Sequence, residues 1–350
     1  MSLTWCSAGE LGVDGAARMR ELVETAKQWV AEGRAGYLAR PVTEQGFGPR
    51  DPAGAVLVDV RGECVGSLYR GVFDAELVAE AGAMGAGAMG ARATARVCEV
   101  SVGGDEAVAA KLTCGGRAEV LLQPLEAIPA EWWELLGAGV GVALVTRLNE
   151  AADQASSEVV RATEVPGDDA GRRAGELLAT RRAGRDALYG EAGLVLVEAQ
   201  PATPYVVIGG GGELAEVIER QALLLGWDAV RVEAAEPAAR EIEARRDAAC
   251  VVMLSHDERF DVPALRAALA AGVPYVGALG SRRTTARRRE GLLAAGVTQE
   301  ELARVHGPIG LDLGARTPAE TALAICAEIL GVLGGRTAGA LRDADGALNS

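Results

Sequence analysis

Apolar positions recur along this chain in two rhythms. Between residues 15 and 36, Met19, Leu22, Val23, Ala26 and Val30 fall three or four apart, a spacing that predicts a helix. The rhythm then shortens. "GAVLVDVRGECVGSLY" reads as a hairpin with Arg61-Gly62-Glu63 at its turn, and "TARVCEVSV", "AVAAKLTCGGRAEVLLQPL" and "GVALVTRL" read as further strands. A helix followed by short strands predicts a mixed α+β domain. The Gly/Ala-rich run 81–93 reads as a loose helix–loop connection.

Beyond Pro201 and Pro204 the pattern changes again. Apolar runs at 205–208, 229–233, 249–254 and 275–279 are each followed by a helical pattern. Buried strand runs alternating with helices predict a parallel sheet covered on both faces. The expected fold class is α/β: a mixed α+β domain over 1–202, a C-terminal Rossmann-like parallel-sheet domain over 203–335, and a tail over 336–350.

Composition narrows the classes. The chain has 350 residues, 49% of them hydrophobic but only 4% aromatic, so its core must rest on Ala, Val and Leu. A net charge of -14 argues against nucleic acid, which needs a basic footprint. No apolar run approaches the ~20 residues of a membrane helix. The N-terminus lacks a basic flank followed by an apolar core, so a cytoplasmic protein is expected. The six cysteines form no CxxC pair and there are only two histidines, so no metal site is expected and the thiols read as free.

Four motifs carry chemistry. "YVVIGGGGELA" places Gly210-x-Gly212-x-x-Ala215 between a strand and a helix, and Glu233 closes the next strand. That order suits a dinucleotide or pterin phosphate: glycines admit the pyrophosphate to the helix N-terminus, and the acid receives ribose hydroxyls. A carboxylate at Glu213 works against phosphate there. "VVMLSHDERFD" sets His256 just past the third strand, where a ligand donor or proton carrier would stand. "YVGALGSRRTTARRREGLL" places Ser281 and Arg282 at a helix start, a local cationic site for an anion, with Arg287 to Arg289 farther along as a solvated or salt-bridged face. "GPIGLDLGARTPAETALAICAEIL" joins a loop, preceded by His306, to a helix over 318–330. Thr317 caps that helix, Pro318 opens it and Glu320 completes a capping box; its apolar residues lie on nearly every face, which predicts burial beneath the sheet or in a subunit interface.

Together these C-terminal stretches resemble the XdhC/CoxI family, accessory proteins of xanthine dehydrogenase and related molybdenum hydroxylases. "GECVGSLYRGVFDAELV" takes the place of the family's first cysteine segment, and "LTCGGRAEVLLQPL" matches its second. The resemblance implies a homodimeric chaperone that binds molybdenum cofactor (molybdopterin), protects it during sulfuration by a cysteine desulfurase and delivers it to the hydroxylase apoenzyme. Carried onto this chain, it matches Cys114, Gly210, Gly212, His256, Ser281 and Arg282; Glu233, from the strand–turn–helix order, and His306, from its loop, join them as candidate cofactor contacts. The sequence departs from the family at Val72, where the first cysteine is expected, and at Asp74, Glu213 and Glu233. Two other readings compete: an NAD-dependent oxidoreductase using the glycine turn, Glu233 and His256, and a non-catalytic scaffold that keeps the fold for dimerisation.

Overall fold

The computed structural model describes residues 15–47, 53–85, 95–190 and 193–343, with the side chains of 15–18 and 20 outside that description. It divides into two compact units, Met1–Pro201 and Ala202–Ser350.

The first unit runs α1 (Gly15–Ala31), β1 (Gly36–Gly46), β2 (Val56–Asp59), β3 (Cys64–Gly66), α2 (Asp74–Gly85), β4 (Arg96–Val102), α3 (Gly104–Ala109), β5 (Gly116–Pro124), α4 (Ala130–Gly137), β6 (Val142–Leu148), β7 (Ala155–Arg161), α5 (Asp169–Ala179), β8 (Gly184–Gly190) and β9 (Gly193–Gln200). Its two antiparallel sheets have strand orders β3-β2-β1-β5-β4 and β7-β6-β9-β8. Alternation along each strand sorts side chains between faces. Val56 and Val58 join Leu77 and Ala81 of α2, while Leu57 turns the other way toward Trp29, Trp133 and Leu144. On the second sheet, Ala143 and Val197 pack against Ala174 and Leu177 of α5.

The second unit runs β10 (Tyr205–Gly209), α6 (Glu213–Leu224), β11 (Asp228–Val232), α7 (Ala235–Ala244), β12 (Ala249–Met253), α8 (Glu258–Ala271), β13 (Tyr275–Ala278), α9 (Arg282–Ala294), α10 (Gln299–Leu302), β14 (Val305–His306) and α11 (Pro318–Leu333). The sheet is parallel throughout, in the order β11-β10-β12-β13-β14. Val207, Val251 and Val276 face α7 and α8; Val206, Ile208 and Val252 face α6 and α11. Helices therefore cover both faces, as the apolar runs predict.

Several expectations change. The first helix stops at Ala31, because Gly33 turns the chain with φ 64 and Gly36 begins β1. "AVAAKLTCGGRAEVLLQPL" splits into α3 and β5 rather than one strand. His306 ends a short fifth strand instead of opening a loop. Helix α11 buries Ala322, Ile325, Cys326 and Ile329, but Leu323 and Leu330 stay 51% and 57% exposed, so among the described residues only one face is covered. Of the run 81–93, the first five residues complete α2, and 86–93 lie outside the described residues, as do 344–350 of the tail.

Candidate functional site

Because β10, β11, β12, β13 and β14 are parallel neighbours, the segments after them gather at one edge of the sheet. In open α/β sheets this carboxyl edge is where ligands bind. Gly210, Gly212, Glu233, His256, Ser281, Arg282 and His306 all lie there. Gly210 has φ 116, its N–H donates to the Val232 carbonyl at 2.8 Å, and a Cβ on it would stand 3.1 Å from the Ser255 nitrogen. Gly212 caps α6 with φ 90 and faces open space, and the Glu233 carboxylate would meet a Cβ on Gly211 at 3.1 Å. Backbone access and an acid at the second strand thus coincide. The first turn of α6 nevertheless carries Glu213 and Glu216, which oppose an anion.

Helix α9 presents the opposite charge. Ser281 caps it, accepting the Thr284 N–H at 3.2 Å, and its first turn contains no acid. The first amides of a helix have no intrahelical partner, so the N–H groups of Arg282 and Arg283 remain for an incoming acceptor. Both side chains are exposed and pair with no carboxylate among the described residues. Arg287 pairs with Glu258 at 2.7 Å across exposed surface. Arg288 departs from the expected solvated face. It is buried, its Nε and Nη2 donate to Asp261 Oδ2 at 3.0 and 2.7 Å, and its Nη1 and Nη2 also donate to the carbonyls of Leu279 and Ser255, each at 3.1 Å. One guanidinium thereby fastens the loops that carry His256 and Ser281. His256 itself is exposed, on a turn where Ser255 Oγ accepts the Asp257 N–H at 3.0 Å.

The last strand carries a polar cluster. Glu328 of α11 accepts from Tyr275 Oη at 2.5 Å and from the Gly310 N–H at 2.9 Å, and its other oxygen lies 3.3 Å from His306 Nδ1. The Tyr275 and His306 rings stack at 4.8 Å. Burial pushes the Glu328 carboxyl up, but donation from His306, Tyr275 and Gly310 outweighs it and leaves the group below its ordinary range. Burial and Glu328 push the Tyr275 phenol far above its ordinary range, so it stays a donor. A carboxylate that fixes one ring nitrogen orients the other for a ligand, the arrangement of an orienter and a proton carrier. Glu328 has no signature in the sequence, since its spacing from His306 forms no local pattern.

Cys114 belongs to the first unit and is exposed in the turn before β5. The glycines after it have a packing cause: a Cβ on Gly115 would meet the Val102 carbonyl at 2.7 Å, and one on Gly116 the Gln45 carbonyl at 2.6 Å. Phe47 links this turn to the segment around Val72. Its N–H donates to the Gly115 carbonyl at 3.3 Å, and its ring stacks on Tyr69 at 4.0 Å. Tyr69, Arg70 and Gly71 hold φ of 50, 59 and 78, left-handed backbone that costs on the order of 1 kcal/mol or more per non-glycine residue. Val72 is half-buried and packs against the core beside Leu77, where a thiol would be expected from the resemblance. Among the described residues no three His, Cys, Asp or Glu side chains gather as a metal site, and no helix is long and apolar enough to cross a membrane.

The sheet, its glycine turn and its carboxyl edge match a known family model over residues 206–329. This stretch is an XdhC Rossmann domain. Two proteins of Escherichia coli (strain K12) are similar to the chain. The molybdenum cofactor insertion chaperone PaoD is 36% identical over 96 residues, 27% of this chain and 30% of PaoD. The uncharacterized protein YqeB is 27% identical over 175 residues, 43% of this chain and 32% of YqeB. The chain thus spans about a third of the length of these curated relatives. A solved chain from Bacillus halodurans, described as a xanthine dehydrogenase, superposes with a TM-score of 0.59 over 90% of this chain and 96% of its own; at 17% identity that likeness concerns the fold.

Proposed function

We propose that this chain receives molybdenum cofactor as cargo at the carboxyl edge of its XdhC Rossmann domain and serves in maturing a molybdenum hydroxylase of the xanthine dehydrogenase type. PaoD, a cofactor insertion chaperone by name, supports the class of role. The observation that carries the reading is the start of α9: two guanidinium groups and two amides, without partners among the described residues, on loops that Arg288 holds in place. These donors suit the phosphate of a pterin cofactor, since charge-assisted bonds at a helix N-terminus favour an anion. Gly212, after β10 on the same edge of the sheet, faces open space, and His306, oriented by Glu328, is placed to exchange a hydrogen bond with a polar ring edge.

The donor set fits the phosphate end better than the metal end. Cys114 offers one exposed thiolate precursor, and Val72 offers none, so this chain's hold on cofactor rests on phosphate and pterin contacts more than on paired thiols. An apoenzyme client, a cysteine desulfurase and a homodimeric state complete the proposed role.

The test is to express the full chain in cells that make molybdenum cofactor, purify it and release any bound pterin by acid oxidation. Fluorescent oxidised pterin approaching one equivalent per chain is expected. Absence of pterin, with saturable NAD binding in its place, would move the assignment to a nicotinamide enzyme.

A further inference from the structure

A second charged site lies within the first unit. Arg40 of β1 and Arg185 of β8 converge on Glu198 of β9, with side chains 3%, 7% and 5% exposed. Arg40 Nη1 donates to one carboxylate oxygen at 2.5 Å and Arg185 Nε to the other at 2.9 Å. Arg40 Nη2 is taken by Gln123, and Arg185 Nη2 by the Gly54 carbonyl at 2.9 Å. These contacts leave Arg40 Nε and Arg185 Nη1 buried without a partner among the described residues. Trp133 Nε1 is a third such donor. All three side chains line one cavity of about 20 Å³, together with Leu38, Glu198 and Gln200.

Two features decide what the cavity suits. Among the described residues its charged lining is two arginines and one glutamate, an excess of one positive charge in a place with little water. Its orphan groups are all donors, and both oxygens of Glu198 are already engaged. A water molecule would accept at most two of the three N–H groups and would bring two hydrogens of its own. An anion only accepts. The volume is that of roughly one or two water-sized occupants, which excludes phosphate and sulfate.

We propose that this cavity binds a single small monovalent anion, of which chloride is the representative, and that the anion is part of the folded first unit. Gln123 and Glu198 position the two arginines, and Trp133 supplies the third bond. The role is independent of cofactor binding by the second unit.

The experiment uses the full chain and needs no cofactor. Thermal midpoints are measured in sodium chloride and sodium bromide against sodium gluconate at equal ionic strength; gluconate is too large for the cavity. The midpoint is expected to rise with halide concentration and level off at saturation, since a ligand of the native state alone stabilises in that way. Arg185→Met removes one orphan donor and the excess charge, and should abolish the difference between halide and gluconate. Because that variant could fold poorly, crystals of the parent protein grown in bromide supply an independent reading. An anomalous peak within hydrogen-bond distance of Arg40 Nε and Trp133 Nε1 is expected. Equal midpoints in halide and gluconate, or a water without anomalous signal at that position, would overturn the proposal.

Discussion

At the scale of single residues, the carboxyl edge depends on side chains whose partners are distant in sequence. Arg288 and Asp261 are 4% and 2% exposed as side chains. Removing one member of a buried pair leaves the other charged and unsolvated, so Arg288→Met should cost about 3–5 kcal/mol. Arg287→Ala, which breaks a surface pair, should change stability by less than about 1 kcal/mol. Denaturant unfolding of both variants checks the contrast; similar losses would remove Arg288 from its fastening role. Glu328 makes a pH-dependent claim. Its carboxyl lies below the ordinary 4.5, held there by three donors against burial, so its contribution is complete above 4.5 and is lost as pH falls through the folded value. Glu328→Gln should cost about 1–3 kcal/mol near neutrality, and its difference from the parent protein should shrink below pH 4.5 in urea titrations across pH. A constant difference would contradict the assigned charge state. The sequence exposed Ser281, Arg282 and His256 because each follows a strand run. It hid Arg288 within "ARRRE", where one of three identical letters turns inward, and it hid Glu328 because only the fold brings it to His306 and Tyr275.

At the scale of elements, local signals were legible where they are chemically sharp. Thr317, Pro318 and Glu320 specify the start of α11, and the capping box forms, with Thr317 Oγ1 accepting the Glu320 N–H at 3.2 Å. Thr317→Ala should lower stability by about 1 kcal/mol, and Thr317→Ser should restore it, as read by thermal unfolding. The four long parallel strands were legible from their continuous apolar runs. Strand β1 was not: Arg40 and Pro41 interrupt it, and its register shifts between Pro41 and Thr43, so no alternation survives. Strand β14 was not either, since two residues leave no period to read. The reading of α11 as apolar all round was right in composition. Burial follows contact, however, and among the described residues only the face toward α6 and the sheet is covered.

At the scale of the whole molecule, each unit has its own hydrophobic clusters, and the chemistry divides with them: an exposed thiol turn in the first, a cationic helix start in the second. The chain carries a net charge of -14, so an anionic cargo approaches an unfavourable field and local donors must supply the attraction. The central claim is that the start of α9 in the XdhC Rossmann domain supplies it. Calorimetric titration of parent, Arg282→Ala and Arg289→Ala proteins with isolated molybdenum cofactor tests this most directly. A lost charge-assisted bond of about 1.5–3 kcal/mol corresponds to roughly 10- to 150-fold weaker binding. That loss is expected for Arg282→Ala, with little change for Arg289→Ala two turns along the helix. Unchanged affinity in Arg282→Ala, or equal losses in the two variants, would contradict the account.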